Sequence, residues 1–416
     1  LKILILGAGV VGTATAWFAA QDGHEVTVVD RCAAAGMETS FANGGQISAC
    51  HAEPWAGPGA PARILQWLFR DDAPLLFRPR LDPAQWAWGL RFLYECTAWR
   101  NHENTARIAA LGLYSRAVLR QLRVETGLAY DHQERGILHF FTDRRDFDAA
   151  GKSVERLRRL GLDREVKTVD EAVAIEPALA PARERLVGAT YAASDESGDA
   201  HLFTQGLAAR AAAKGVDFRY GHVIQGLRMA GNRVSGVAVK GPDGAEHTLA
   251  ADAYVVALGS YSPLLTRPIG LDIPVYPAKG YSVTVDVADP AKAFTVSLTD
   301  DAAKLVFSRL GNRLRIAGTA ELSGYSTQLN PVRCDAILQR VRLMFPGAGV
   351  YDRPTFWAGL RPSTPSNVPL IGATKIGNLY LNTGHGTLGW TLACGSGRAL
   401  ADILSGRKPD VPLCPP

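Results

Sequence analysis

The sequence predicts an α/β chain, α+β overall, in which pieces of one parallel-sheet domain alternate with mixed, largely antiparallel insertions. Three observations carry this. The first thirty residues read strand, glycine turn, helix, strand and acid. The segment Asp252–Ser260 is a buried strand ending in small residues. From Asn378 the chain returns to strand, glycine turn and helix.

The strand Lys2-Ile3-Leu4-Ile5-Leu6 runs directly into Gly7-Ala8-Gly9-Val10-Val11-Gly12. Thr13 to Asp22 follows as a helix, with Ala14, Ala16, Phe18 and Ala19 at helical spacing. Gly23 ends it, and Glu25-Val26-Thr27-Val28-Val29-Asp30 is the next strand. Together these make a Rossmann-like βαβ unit that binds a dinucleotide. Gly7 permits the tight turn. Gly9 lets backbone N–H groups approach a pyrophosphate at the positive end of the helix, and Gly12 lets helix and strand pack closely. Asp30 is placed to take a ribose hydroxyl. The unit alone does not distinguish NAD from FAD.

A chain of 416 residues has room for two or three domains and a large core. Apolar residues at 47% and charged residues at 20% exclude a disordered or fibrous chain. A net charge of +5 is too small and scattered to indicate nucleic acid, although it permits contact with an anionic membrane surface. Cys32, Cys50, Cys96, Cys334, Cys394 and Cys414 are far apart and form no CxxC. That argues against a disulfide framework and for a reducing compartment. No metal site is expected, because His385 has no second ligand at the right spacing. No apolar run reaches the ~18 residues of a membrane span. No export signal precedes the first strand, so a cytoplasmic location is expected.

Glu38 to Ser48 is small, polar and glycine-rich, and reads equally as a close approach to a cofactor or as a surface loop. Residues 51–100 interleave Trp55, Trp67, Trp86, Trp88 and Trp99 with Arg63, Arg70, Arg78, Arg80, Arg91 and Arg100. Most of these Trp residues are expected in a core, the competing reading being a membrane-surface face. Helices are expected at Ala62–Phe69, Pro83–Trp99, Glu103–Thr126 (capped by Gly127), Phe147–Leu160, Leu202–Lys214, Asn330–Phe345 and Thr391–Leu404. Strands are expected at Gly136–Phe141, Val187–Ala193, Asp217–Tyr220, Val234–Lys240, His247–Leu249, Tyr276–Val287, Leu305–Ser308, Arg313–Ala317 and Asn378–Asn382. The dinucleotide domain is then assembled from residues 1–50, 195–270 and 357–416, and the second domain from 51–194 and 271–356.

Several stretches keep a recognisable order: Glu38-Thr39-Ser40-Phe41-Ala42-Asn43-Gly44-Gly45-Gln46-Ile47-Ser48, Pro54–Gly59, Asp195–Asp199, Gly259–Ser262, Tyr276–Ser282, Phe356-Trp357-Ala358-Gly359-Leu360-Arg361-Pro362 and Thr383–Trp390. Over essentially the whole chain they resemble bacterial D-amino acid dehydrogenases, within the class of D-amino acid and glycine oxidases. The sequence departs from that pattern at His51, where the family usually has Tyr. It departs again at Ser363-Thr364-Pro365-Ser366-Asn367, where a Met-Thr-Pro-Asp-Gly type is usual. Both changes bear on the preferred substrate side chain.

The resemblance implies FAD rather than NAD, with hydride passing from a D-amino acid Cα to flavin N5. The imino acid hydrolyses to a 2-oxo acid and ammonia. Electrons leave to a quinone or other respiratory acceptor at the inner face of the cytoplasmic membrane. It implies a cofactor site built from Ile3, Leu4, Ile5, Leu6, Gly7, Ala8, Gly9, Val10, Val11, Gly12, Asp30, Arg31, Ser40, Ala42, Asn43, Gly44, Gly45, Gln46, Ile47, Val223, Ala257, Gly259, Gly359, Arg361, Gly384, His385, Gly386, Thr387, Leu388 and Gly389. In such chemistry the protein mainly orients. Arg361 offers a guanidinium fork for an α-carboxylate, held extended by the following Pro362. Tyr281 is a candidate to hydrogen-bond the substrate, or a buried strand aromatic. His51 is a candidate to line the pocket or assist proton removal, or a structural histidine. Lys279 is a further candidate beside the flavin. Two alternatives stand: a secondary-amine or glycine-type oxidase taking sarcosine or D-proline-like substrates, and a non-catalytic flavin-holding subunit.

Overall fold

The computed structural model describes residues 1–67 and 74–413. The N-terminal pattern forms β1 (Lys2–Leu6), α1 (Val10–Gln21) and β2 (Glu25–Val29). β1 lies between β2 and the strand Ala253–Val256 and is parallel to both. Asp217–Arg219 extends the sheet beyond β2; Leu379–Thr383 and Leu370–Ala373 extend it on the other side, only the last running antiparallel. Three distant stretches of chain therefore build one sheet. Side chains alternate across it: Ile3 and Ile5 join the core under α1, while Leu4 and Leu6 join the core under the three-stranded sheet of Val223–Ala230, Arg233–Lys240 and Glu246–Leu249. Burial on both faces explains the unbroken apolar run.

The helix Gly389–Leu404 crosses α1 and the long helix Ala98–Thr126 at close range. Glycine allows this: a Cβ on Gly395 would lie 2.7 Å from Ser115 Cα, and one on Gly397 2.9 Å from Thr15 N. The Gly395 N–H donates to Ser115 Oγ at 2.9 Å.

The second sheet is mainly antiparallel and ordered Thr355–Ser363, Tyr276–Asp286, Arg313–Leu322, Leu305–Leu310, Ser297–Asp300, Ile137–Phe141, Gly188–Ala192, Arg164–Lys167, with Leu75–Phe77 beside Arg313–Leu322. Gln46–Ile47 pairs with Glu196–Ser197 as a separate two-stranded ribbon.

The observed partition differs from the expected one in two places. Ala98–Thr126, inside the 51–194 segment, buries Ile108, Leu111, Leu119 and Leu122 in the same core as α1. Residues 357–363, expected with the dinucleotide domain, pair with Tyr276–Asp286 in the second sheet. An apolar stripe says that a face is buried, not against what. The helix expected at Pro83–Trp99 ends at Glu95, and the next begins at Ala98. Trp88 is in the core, but Trp86 is 51% and Trp99 58% exposed. The helix expected at Ala62–Phe69 is Ala60–Trp67; its expected end, Arg70 and Cys414 lie outside the described residues. Among the described residues no helix is long and apolar enough to cross a membrane.

Candidate active site

A cavity of about 1150 Å³ is lined by residues of both sheets. That exceeds the ~300–1,000 Å³ of ordinary small-molecule sites and leaves room for a dinucleotide with a small substrate. Its first wall is the β1–α1 turn. Gly7 has φ +109°, and a Cβ there would lie 2.6 Å from the Ala257 carbonyl oxygen. A Cβ on Gly12 would lie 1.9 Å from the Gly7 oxygen. Gly9 caps α1 with no side chain, and a Cβ there would meet only Ser40 Oγ, at 3.7 Å. The first turn of α1 thus faces open cavity. Asp30 receives the Ala8 N–H on Oδ2 at 2.7 Å and the Cys32 N–H on Oδ1 at 2.8 Å. Each oxygen keeps a second acceptor site for a ribose hydroxyl. Arg31 is braced by an ion pair with Glu38 and by the Tyr261 ring, 4.2 Å from its centroid.

The loop from Ser40 forms the second wall. Ser40 Oγ accepts from Val10 N at 3.1 Å, and the Gly45 N–H donates to Asn43 Oδ1 at 2.9 Å. A Cβ on Gly44 would strike Val306 at 2.3 Å. Gln46 donates to Ser297 Oγ and Leu298 O, both at 3.1 Å. The late turn forms the third wall. His385 is buried, with Nε2 3.1 Å from Ser396 Oγ, and burial pushes its pKa down to about 3. It is neutral at pH 7. All the cofactor candidates line the cavity except Ile3, Leu4, Ile5, Leu6, Ala8, Gly12, Ile47, Gly359 and Gly384, which stand behind the wall. The strand residues are held inside the sheet, and Gly359 is packed under the Trp357 ring.

Arg361 lies on the cavity wall, on a strand of the second sheet. Its Nη1 donates to Thr319 O at 2.6 Å and Nη2 to Gly318 O at 3.4 Å. Gly280, on the neighbouring strand, is its floor: a Cβ there would lie 2.3 Å from Arg361 Cζ. The accepting carbonyls come from an irregularity in Arg313–Leu322, where pairing shifts between Lys279↔Glu321 and Tyr281↔Gly318. Thr319 there has φ +52°, a strained conformation for a β-branched residue. No carboxylate lies within ion-pair distance of Arg361 among the described residues. Burial first, then Arg333, brings its pKa down to about 10, so it stays charged at neutral pH.

Tyr281 lines the cavity, but its hydroxyl donates to Glu321 at 2.6 Å. Of the two expected partners, substrate carboxylate or amine, the carboxylate would need a proton that is already committed. Burial and Glu321 hold the phenol in its neutral form. Lys279 is off the wall, engaged by Glu321 at 3.3 Å and Gln328 O at 3.1 Å. His51 is on the wall and stacks on His139, ring centroids 5.6 Å apart. Burial first, then the Arg164 charge, brings His51 down to about 4 and lowers His139 as well. His139 and Arg164 also line the cavity, and the sequence reading misses both. Residue order puts them in ordinary strand positions, and only strand pairing brings them beside His51. Among the described residues no cluster of His, Cys, Asp or Glu could hold a metal ion.

Residues 2–403 match the family of FAD dependent oxidoreductases. The chain is 60% identical over 410 residues to the D-amino acid dehydrogenase of Dechloromonas aromatica, covering 99% of this chain and 98% of that one. The chain belongs to the D-amino acid dehydrogenase family of FAD-dependent oxidoreductases. A D-amino acid dehydrogenase of Paramagnetospirillum magneticum is 58% identical over 408 residues, 98% and 96% of the two chains. The glycine oxidase of Bacillus cereus has the same fold, with a TM-score of 0.72 at 25% identity over 97% of this chain and 95% of that one. An L-proline dehydrogenase of P. horikoshii has a TM-score of 0.76 at 17% identity over 99% and 95%, a likeness of fold. FAD is thus this family member's cofactor, and the residues present fit it. The side-chain-free turn at Gly7 and Gly9 would take the pyrophosphate, Asp30 the adenosine ribose, and the loop at Ser40–Gln46 with the turn at His385–Gly389 the flavin end.

Proposed function

We propose that this family member oxidises D-amino acids to 2-oxo acids and ammonia and delivers the electrons to a quinone or other non-oxygen acceptor at a membrane surface. The observation that carries the substrate class is Arg361: a charged guanidinium, deep in the molecule, bonded to two carbonyls and to no carboxylate among the described residues. A bidentate carboxylate completes it. A bound flavin supplies two-electron oxidation of the substrate's Cα–N bond.

This chain's residues do the rest. Arg361, seated on Gly280 and the Gly318 and Thr319 carbonyls, fixes the α-carboxylate and with it the direction of Cα–H. His51, neutral down to about pH 4, is too weak a base to take a proton from an ammonium group; it orients the substrate by hydrogen bonding. Tyr281 acts through Glu321, holding the strand that presents the Arg361 seat.

The acceptor reading draws on the helix Pro83–Glu95. Trp86, Leu90, Leu93 and Tyr94 share its outer face and are all exposed, with exposed Arg63, Arg80 and Arg91 nearby in sequence. An outer face is ordinarily polar; Trp and Leu beside Arg suit an anionic lipid surface, from which a quinone could be supplied.

Anaerobic addition of amines to the yellow holoenzyme tests the reading. Bleaching by D-alanine, but not by L-alanine or sarcosine, is expected. Bleaching by sarcosine or glycine alone would select the secondary-amine oxidase, and no bleaching by any amine would select the flavin-holding subunit. Reoxidation faster with a quinone analogue than with oxygen separates dehydrogenase from oxidase.

A further inference from the structure

We propose that Arg164 forms a second anion seat in the same cavity and that it takes a carboxylate carried on the substrate's side chain, so that acidic D-amino acids are substrates. This rests on the reading of Arg361 as the α-carboxylate seat.

Arg164 begins the strand Arg164–Lys167, is 6% exposed and lines the cavity. Pairing sets it opposite Ala192, and sets His139 opposite Thr190 of the same central strand. Ala192 and Thr190 are two apart, so Arg164, Thr190 and His139 share one face of the sheet. Arg164 Nε donates to Thr190 Oγ1 at 2.9 Å. That bond fixes the guanidinium and leaves its terminal N–H fork for a ligand. No carboxylate lies within ion-pair distance of Arg164 among the described residues. The acids near it are engaged elsewhere: Glu53 with Arg156, Asp163 with Ser194, and Asp301 with Lys304. A buried charge without a counterion is costly, and a carboxylate on the fork would offset that cost. The stacked rings of His51 and His139 stand beside it, both kept neutral in part by the Arg164 charge. Each neutral imidazole adds one N–H donor and no competing negative charge. Arg361 and Arg164, two guanidinium groups on the cavity wall with no acid partner among the described residues, suit a ligand with two carboxylates.

The test compares kcat/KM for D-glutamate and for its uncharged isostere D-glutamine in the holoenzyme. The glutamate-to-glutamine ratio should fall about 10- to 100-fold in Arg164→Gln, the loss of one charge-assisted bond, and recover in part in Arg164→Lys. A purely structural role would lower both substrates together and leave the ratio unchanged, which overturns the proposal, as does a wild type that leaves D-glutamate unoxidised. As a readout independent of turnover, glutarate should raise Tm more than butyrate does in the wild type, and the difference should vanish in Arg164→Gln. If acetate inhibited D-alanine oxidation only when Arg164 is present, while the ratio did not change, the seat would hold a free anion and the side-chain assignment would fall. Bleaching by D-alanine with an Arg164-independent ratio defeats this inference alone; absence of bleaching by D-alanine defeats the proposed function itself.

Discussion

Gly280→Ala should separate substrate binding from stability. The backbone at Gly280 does not have a positive φ, so alanine is permitted there. The obstacle is one side chain: the new Cβ would lie 2.3 Å from Arg361 Cζ and 2.4 Å from each terminal nitrogen. Those atoms end a flexible side chain and can move, so the fold absorbs the change by displacing the guanidinium. Displacement breaks the 2.6 Å bond to Thr319 O and misaims the fork. Losing one charge-assisted hydrogen bond to the substrate costs about 1.5–3 kcal/mol. At ~1.4 kcal/mol per factor of ten, kcat/KM for D-alanine should fall about 10- to 150-fold. Steady-state assays with a dye acceptor measure this, and Tm and flavin content should stay near wild type. A kcat/KM within threefold of wild type would refute the seat; a large loss of Tm would show that Gly280 matters to folding instead.

Gly12→Ala should behave in the opposite way, because its Cβ meets the Gly7 carbonyl at 1.9 Å and backbone cannot step aside. Purified protein should contain less flavin and melt earlier; full flavin occupancy would contradict the packing argument. Acidification should destabilise the fold. The folded pKa is about 4 for His51 and about 3 for His385, against ~6.5 in the unfolded chain. Between those limits the unfolded chain binds more protons. Stability is therefore fully present above pH ~6.5 and is lost as pH falls, at up to ~1.4 kcal/mol per pH unit for each buried imidazole. Urea midpoints from pH 7 to 4.5 read this, and His385→Asn should give a shallower slope; an equal slope would remove His385 from the account. Trp86→Ser with Leu90→Ser should reduce co-sedimentation with anionic vesicles while leaving D-alanine oxidation by a soluble dye unchanged, and binding unaffected by the pair would place the lipid contact elsewhere.

Local rules carried much of the fold. The βαβ unit is legible because glycine spacing, apolar runs and a terminal acid all fall within thirty residues, where chain geometry leaves few choices. Gly127, at φ +58°, ends its helix as expected. The strand Val223–Ala230 was not legible: Gly226 and Arg228 interrupt its pattern, and two register shifts break its pairing. The packing of Ala98–Thr126 was not legible either, since its partner helix lies at the far end of the chain. The candidate site divides in the same way. The glycine turns and Arg361 stand in short motifs, but the engagement of Tyr281 by Glu321 depends on a strand forty residues away.

By itself the sequence determined the dinucleotide turn, the family likeness and the presence of an arginine suited to a carboxylate, because each is written in a few adjacent residues. Tertiary structure decided which polar groups are already satisfied. Glu321 takes the Tyr281 proton and holds Lys279, while Arg361 and Arg164 are left facing the cavity without acids among the described residues. A side chain's charge is local, but whether that charge has a partner depends on strand register between segments tens of residues apart.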